Sequence, residues 1–179
     1  MHAPLMLSLA PLTAMLAVAA FIDWRQRRIP NWLTVVMMAS GLAGSLLPGN
    51  VIPPSTAFIG LLVGFAIPFV LFVMGALGGG DVKLLAGVGA WLGPIGVIKI
   101  FLIECIVGMI IVIVQSIRQK RLSVLVRNSA VLTVNLVNID TIGADAVYET
   151  GKACRSVERP LPYAVPVLIA VLIALTTGI

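Results

Sequence analysis

The chain has 179 residues, 60% of them hydrophobic and only 11% charged, with a net charge of +5 and a mean hydropathy of +1.11. Soluble domains carry about 25% charged residues, so this composition excludes an ordinary soluble fold and specifies an all-α, polytopic membrane protein. The basic excess is first a topology signal, and no nucleic-acid motif accompanies it. Cys105 and Cys154 are far apart and form no Cys-x-x-Cys, so no metal site or cofactor is expected, and Cys105 reads as a small buried hydrophobe.

A membrane-spanning helix needs about 20 mainly apolar residues, and six segments qualify or nearly do. The first is 3–22. Its basic cluster follows it instead of preceding it, the wrong polarity for a cleaved secretory signal, so it is expected to be a retained span. It leads into Phe21-Ile22-Asp23-Trp24-Arg25-Gln26-Arg27-Arg28-Ile29-Pro30-Asn31. Pro30 disfavours helix at Ile29, and Asn31 reads as the N-cap of the second span, 32–47. A Pro- and Gly-containing turn over 48–54 precedes the third span, 55–77, which leads into Gly78-Gly79-Gly80-Asp81-Val82-Lys83. The fourth starts near Val82 and runs to Gly93-Pro94; being short, it is expected to be tilted or partly re-entrant. The fifth is 99–117 and the sixth 162–178. Residues 118–160 are the only large polar stretch, with Asp140, Asp145, Glu149 and Glu158. They are expected to be a solvated cytoplasmic loop within a single domain over 1–179. Residues 122–126 and 131–137 suit an interfacial amphipathic helix or short strands equally.

Charge placement orients this layout. Arg25, Arg27, Arg28, Lys83 and every basic residue of 118–160 fall on one side of six spans; Lys99 falls on the other. The positive-inside rule puts the richer side in the cytoplasm and both termini outside. Two full spans separate Asp23 from Asp81, so both acids come to the same cytoplasmic boundary. Acids at membrane depth are costly and mark function by default. Either motif alone is more often a boundary acid or a loop turn. Together on one face they suggest a carboxylate pair that shares a proton, one member activating water while the other polarises a carbonyl. The glycines before Asp81 are expected to supply backbone conformations closed to other residues and close approach of a substrate strand.

Lys83 reads equally as a tuner of Asp81 or a snorkelling lysine, and Arg25 as a topology residue more than a partner of Asp23. Glu104 falls toward the outer side of the fifth span, near Lys99 or a neighbouring helix, without a catalytic role. Gly60 with Gly64, and Gly41 with Ser45, have the spacing that lets helices pack closely. Trp24 and Trp32 fit an interfacial belt.

The motif Asp23-x-Arg25-x-x-x-Ile29-Pro30-Asn31, taken with Gly78-Gly79-Gly80-Asp81-Val82-Lys83-Leu84, resembles the type IV prepilin peptidase family. The small size resembles its Tad/Flp-pilus branch, and Leu161-Pro162-Tyr163-Ala164-Val165-Pro166 resembles a family feature before the last span. The resemblance implies that Asp23 and Asp81 are catalytic, with Arg25, Pro30, Asn31, Gly78, Gly80 and Lys83 as motif residues around them. It implies an endopeptidase of the bacterial inner membrane that removes a short basic leader from prepilins at the cytoplasmic face. Larger members add a cysteine-rich metal domain and methylate the new terminus; this chain carries no such pattern, so peptidase activity alone is expected. The partners expected are a prepilin and membrane lipid, with the oligomeric state left open. Two other readings compete: an ion- or proton-coupled transporter, and a non-catalytic assembly factor of a pilus or secretion system. Transporters tend to place their acids at the midplane of paired repeats, whereas these acids lie at a boundary and no repeat is evident.

Overall fold

The computed structural model describes residues 3–47, 52–74, 77–120, 122–153 and 162–177. Among them the chain is helical throughout. The order is α1 (Ala3–Gln26), α2 (Asn31–Ser45), α3 (Pro54–Val73), α4 (Gly79–Arg118), α5 (Leu122–Val137), α6 (Ile139–Ile142), α7 (Ala144–Ala153) and α8 (Ala164–Thr177). Most of the 48–54 turn, Cys154, Glu158 and Leu161 lie outside the described residues.

The fourth and fifth expected spans are two limbs of α4, 79–92 and 94–118, divided at the anticipated Gly93-Pro94 break. Gly93 has φ 72° and ψ 179°, a conformation that L side chains rarely adopt, and Pro94 lacks an N–H to continue the helical ladder. The glycines of α3 show how the limbs run. A Cβ on Gly60 would lie 2.2 Å from the Gly89 carbonyl oxygen and 2.6 Å from Gly93 Cα. One turn on, a Cβ on Gly64 would lie 2.4 Å from the Leu85 carbonyl oxygen and 3.1 Å from Val97 Cγ2. Advancing along α3 therefore moves backward along one limb and forward along the other. The limbs are antiparallel, and α3 lies against both with small residues at the contact. Gly60→Ala is expected to force these backbones apart and destabilise the fold by about 1–3 kcal/mol, read as a lowered unfolding midpoint in detergent.

The core is built from α1, α2, both limbs of α4 and α8, with Leu12, Leu16, Met37, Leu84, Leu85, Ile100, Val167 and Val171 fully or almost fully buried. Trp91 Nε1 donates to the Met37 carbonyl at 3.0 Å and ties α4 to α2. Outside this core the surface is apolar. Phe58, Ile59, Leu62, Phe65, Phe69 and Val70 of α3 are exposed, as are Leu102, Ile106, Met109 and Ile110 of α4. So is Cys105, which corrects its reading as a buried hydrophobe. α3 and α4 are long and apolar enough to cross a membrane, and α8 is a shorter apolar helix.

The 118–160 segment is helical over its described part, so neither a loop nor strands describe it. Val147 of α7 is buried, and Asn135 Nδ2 of α5 donates to Thr150 Oγ1 of α7 at 3.1 Å. Asp140 and Asp145 are exposed there.

Candidate active site

Asp23 lies in the last turn of α1 and is 5% exposed. The helix ends where Arg27 N–H donates to the Asp23 carbonyl at 2.8 Å, with Arg27 in the left-handed region at φ 55°. That conformation costs a non-glycine residue about 1–2 kcal/mol, and it turns the chain sharply toward Pro30. The Asp23 side chain is held from far away in sequence: Ala164 N–H, at the start of α8, donates to Oδ2 at 3.1 Å. The Tyr163 backbone N–H and the Arg27 charge act on the same carboxyl. Helix N-termini leave N–H groups unpaired and carry partial positive charge, so the start of α8 is a natural seat for a carboxylate.

Asp81 is the third residue of α4, with Gly78 as N-cap. Its Oδ2 accepts from Gly78 N–H at 2.9 Å, half of a capping box. Asp23 at the end of α1 and Asp81 at the start of α4, both expected at one boundary, lie within electrostatic reach of each other.

The motif residues knit these ends. Lys83 Nζ donates to Asn31 Oδ1 at 2.9 Å, bridging the two motifs. Asn31 is therefore not the expected N-cap. Pro30 occupies that position with no side-chain cap bond, and Asn31, the first helical residue, uses its amide to hold Lys83. Gly78, Gly79 and Gly80 all lack positive φ, so conformational freedom is not what this stretch uses. Space is: a Cβ on Gly80 would sit 3.3 Å from Ile29 Cβ, and one on Gly78 would sit 3.1 Å from Asp81 Oδ2. Arg25 lies over the Phe21 ring at 5.8 Å, and Arg27 is the cation that acts on Asp23.

Glu104 is not remote from the acids. The first limb of α4 is short, so the second regains the level of Asp81 within about three turns. There the buried Glu104 accepts through Oε1 from the Tyr163 hydroxyl. The sequence reading takes the first limb as short but begins the fifth span at 99, five residues past the start of the second limb at 94, and so leaves Glu104 near the outer end. It also gave no role to Tyr163 and Ala164, whose only signal was the proline-flanked stretch before the last span. Among the described residues no group of three or more His, Cys, Asp or Glu is placed to hold a metal ion.

An apolar helical bundle with two carboxylates seated on adjoining helix ends defines an acid-pair site, suited to moving protons to and from a water and a carbonyl. Residues 10–113 match the type IV leader peptidase family, and the chain belongs to that family. Similar curated proteins include a prepilin leader peptidase/N-methyltransferase of Xanthomonas campestris pv. campestris, 33% identical over 56% of this chain and 37% of the relative. Its counterpart in Neisseria gonorrhoeae is 29% identical over 62% of this chain and 41% of its own. A preflagellin peptidase of Methanococcus voltae is 34% identical over 42% of this chain and 34% of its own. The matched stretch thus spans about two fifths or less of the length of these relatives. No solved structure is significantly similar.

Proposed function

We propose that this chain is a membrane aspartic endopeptidase that removes the leader from type IV, Flp-like prepilins at the cytoplasmic face of the bacterial inner membrane. The observation that carries the reading is that Asp23 and Asp81 lie within electrostatic reach of each other, each fixed by a backbone N–H at a helix N-terminus. Asp23 and Asp81 are the catalytic pair. One takes a proton from the attacking water while the other, protonated, polarises the scissile carbonyl. Gly78, Gly80, Pro30, Asn31 and Lys83 hold the two ends in register, and Arg27, not Arg25, is the cation that acts on Asp23.

Six spans belong to this reading: α1, α2, α3, the two limbs of α4, and α8, in one domain with α5–α7 on the cytoplasmic side. Lipid covers the exposed apolar side chains, and both termini are extracytoplasmic. Processing of Flp-like substrates by peptidase activity without methylation belongs to the same proposal. The topology has its own test. Arg28→Cys and Gly79→Cys, in a cysteine-free background, are both expected to react with a membrane-impermeant thiol reagent only from the cytoplasmic side. Labelling from opposite sides would dismantle the two-aspartate site.

The function is tested by incubating the purified protein, in lipid, with candidate prepilins. A leader-shortened product is expected. Its absence with every cognate prepilin would favour the assembly-factor reading.

A further inference from the structure

The peptidase reading leaves one buried acid without a task. Glu104, on the second limb of α4, is 3% exposed, and its Oε1 accepts from the Tyr163 hydroxyl. Its Oε2 is buried with no hydrogen-bond partner among the described residues. A half-satisfied buried carboxylate is expensive, and an unsatisfied polar group in a native fold demands a reason. The position of Tyr163 supplies one. Its peptide bond to Ala164 carries the N–H that donates to Asp23 Oδ2, and its own N–H acts on the same carboxyl. The Asp81 charge also acts on both Glu104 and Tyr163.

The Tyr163 ring packs against the core but does not fill the space around it. A cavity of about 210 Å³ opens beside it, lined also by Leu71, Leu77, Phe101 and Cys105. An aromatic ring facing open volume can change rotamer unless its polar end is tied. The bond to Glu104 is that tie.

We propose that Glu104 is a positioning residue: it anchors the Tyr163 hydroxyl and thereby aims the Tyr163–Ala164 peptide at Asp23. It touches no reacting atom. The proposal rests on the peptidase reading, and it makes hydrogen-bond acceptance, not negative charge, the property that matters at position 104.

The test uses full-length protein in lipid and a peptide copied from the leader junction of a cognate prepilin. Tyr163→Phe and Glu104→Leu are each expected to lower kcat at least about tenfold with KM within about twofold, because a misaimed catalytic group loses rate more than binding. Glu104→Gln, whose amide oxygen still accepts, is expected to stay within about threefold of wild type. Wild-type kcat in Tyr163→Phe would overturn the proposal; so would Glu104→Gln as impaired as Glu104→Leu. An activity-free readout separates this idea from the peptidase reading. The Asp23 carboxyl stretching band, assigned in 13C-aspartate-labelled protein by its loss in Asp23→Asn, is expected to move in Tyr163→Phe and in Glu104→Leu but not in Glu104→Gln. An unmoved band in Tyr163→Phe and Glu104→Leu would contradict the proposal even in a chain that cleaves prepilin. The expected pattern of shifts would support it even in a chain that does not.

Discussion

Asp23→Asn and Asp81→Asn are each expected to abolish prepilin cleavage, by about 10³-fold or more, and the double variant to be no worse than either single one. Residues that act as a unit show this non-additivity, because the second substitution removes nothing the first has left working. The substitutions are mild structurally. An asparagine at 23 keeps an amide oxygen for the Ala164 N–H, and one at 81 keeps an acceptor for the Gly78 N–H. Membrane abundance should therefore stay near wild type while activity disappears. Asp140→Asn and Asp145→Asn, exposed acids of the α6–α7 region, should retain activity. Initial rates and immunoblots of the same membranes check all five variants together. Independent, multiplying losses at 23 and 81 would argue against a shared-proton pair.

Gly80→Leu carries the second large effect. The space at Gly80 is already tight against Ile29, so a leucine must push the first turn of α4 away from the chain that follows α1. That movement separates Asp81 from Asp23 and strains the Lys83–Asn31 bridge between the same two segments. A displacement of about 1 Å at a catalytic group can cost 10²-fold in rate, and a loss of at least about that size is expected. Gly80→Ala should fall between wild type and Gly80→Leu. Because Gly80 lies at a helix end, outside the packed contact of α3 with α4, abundance should change little. Full activity in Gly80→Leu would show that the glycine is only a linker.

The helical class and the break at Gly93-Pro94 were legible in the sequence, because each follows from hydropathy or backbone chemistry, and counting spans puts Asp23 and Asp81, which lie within electrostatic reach of each other, at one boundary. The counting also produced the main error. It starts the fifth span at 99, not at the break itself, and so puts Glu104 toward the far side. The close fit of Gly60 and Gly64 against α4 shows that the return begins at the break, with Gly93 and then Val97 already lying against α3. Asn31 misled in a different way. A capping residue type at a helix start is an ordinary local signal, but a lysine 52 residues later takes its side chain. Arg25 and Arg27 look alike as charges; which of them acts on Asp23 depends on the left-handed turn at Arg27, which no residue type announces. The seat of Asp23 on the start of α8 is a contact across 141 positions, beyond the reach of any local pattern.

The account stands most directly on single-turnover cleavage of a cognate prepilin by purified wild-type protein and by Asp81→Asn, side by side in lipid, with the product mass read by mass spectrometry. It predicts a leader-shortened product from the wild type and none from Asp81→Asn. Substantial product from Asp81→Asn would contradict it.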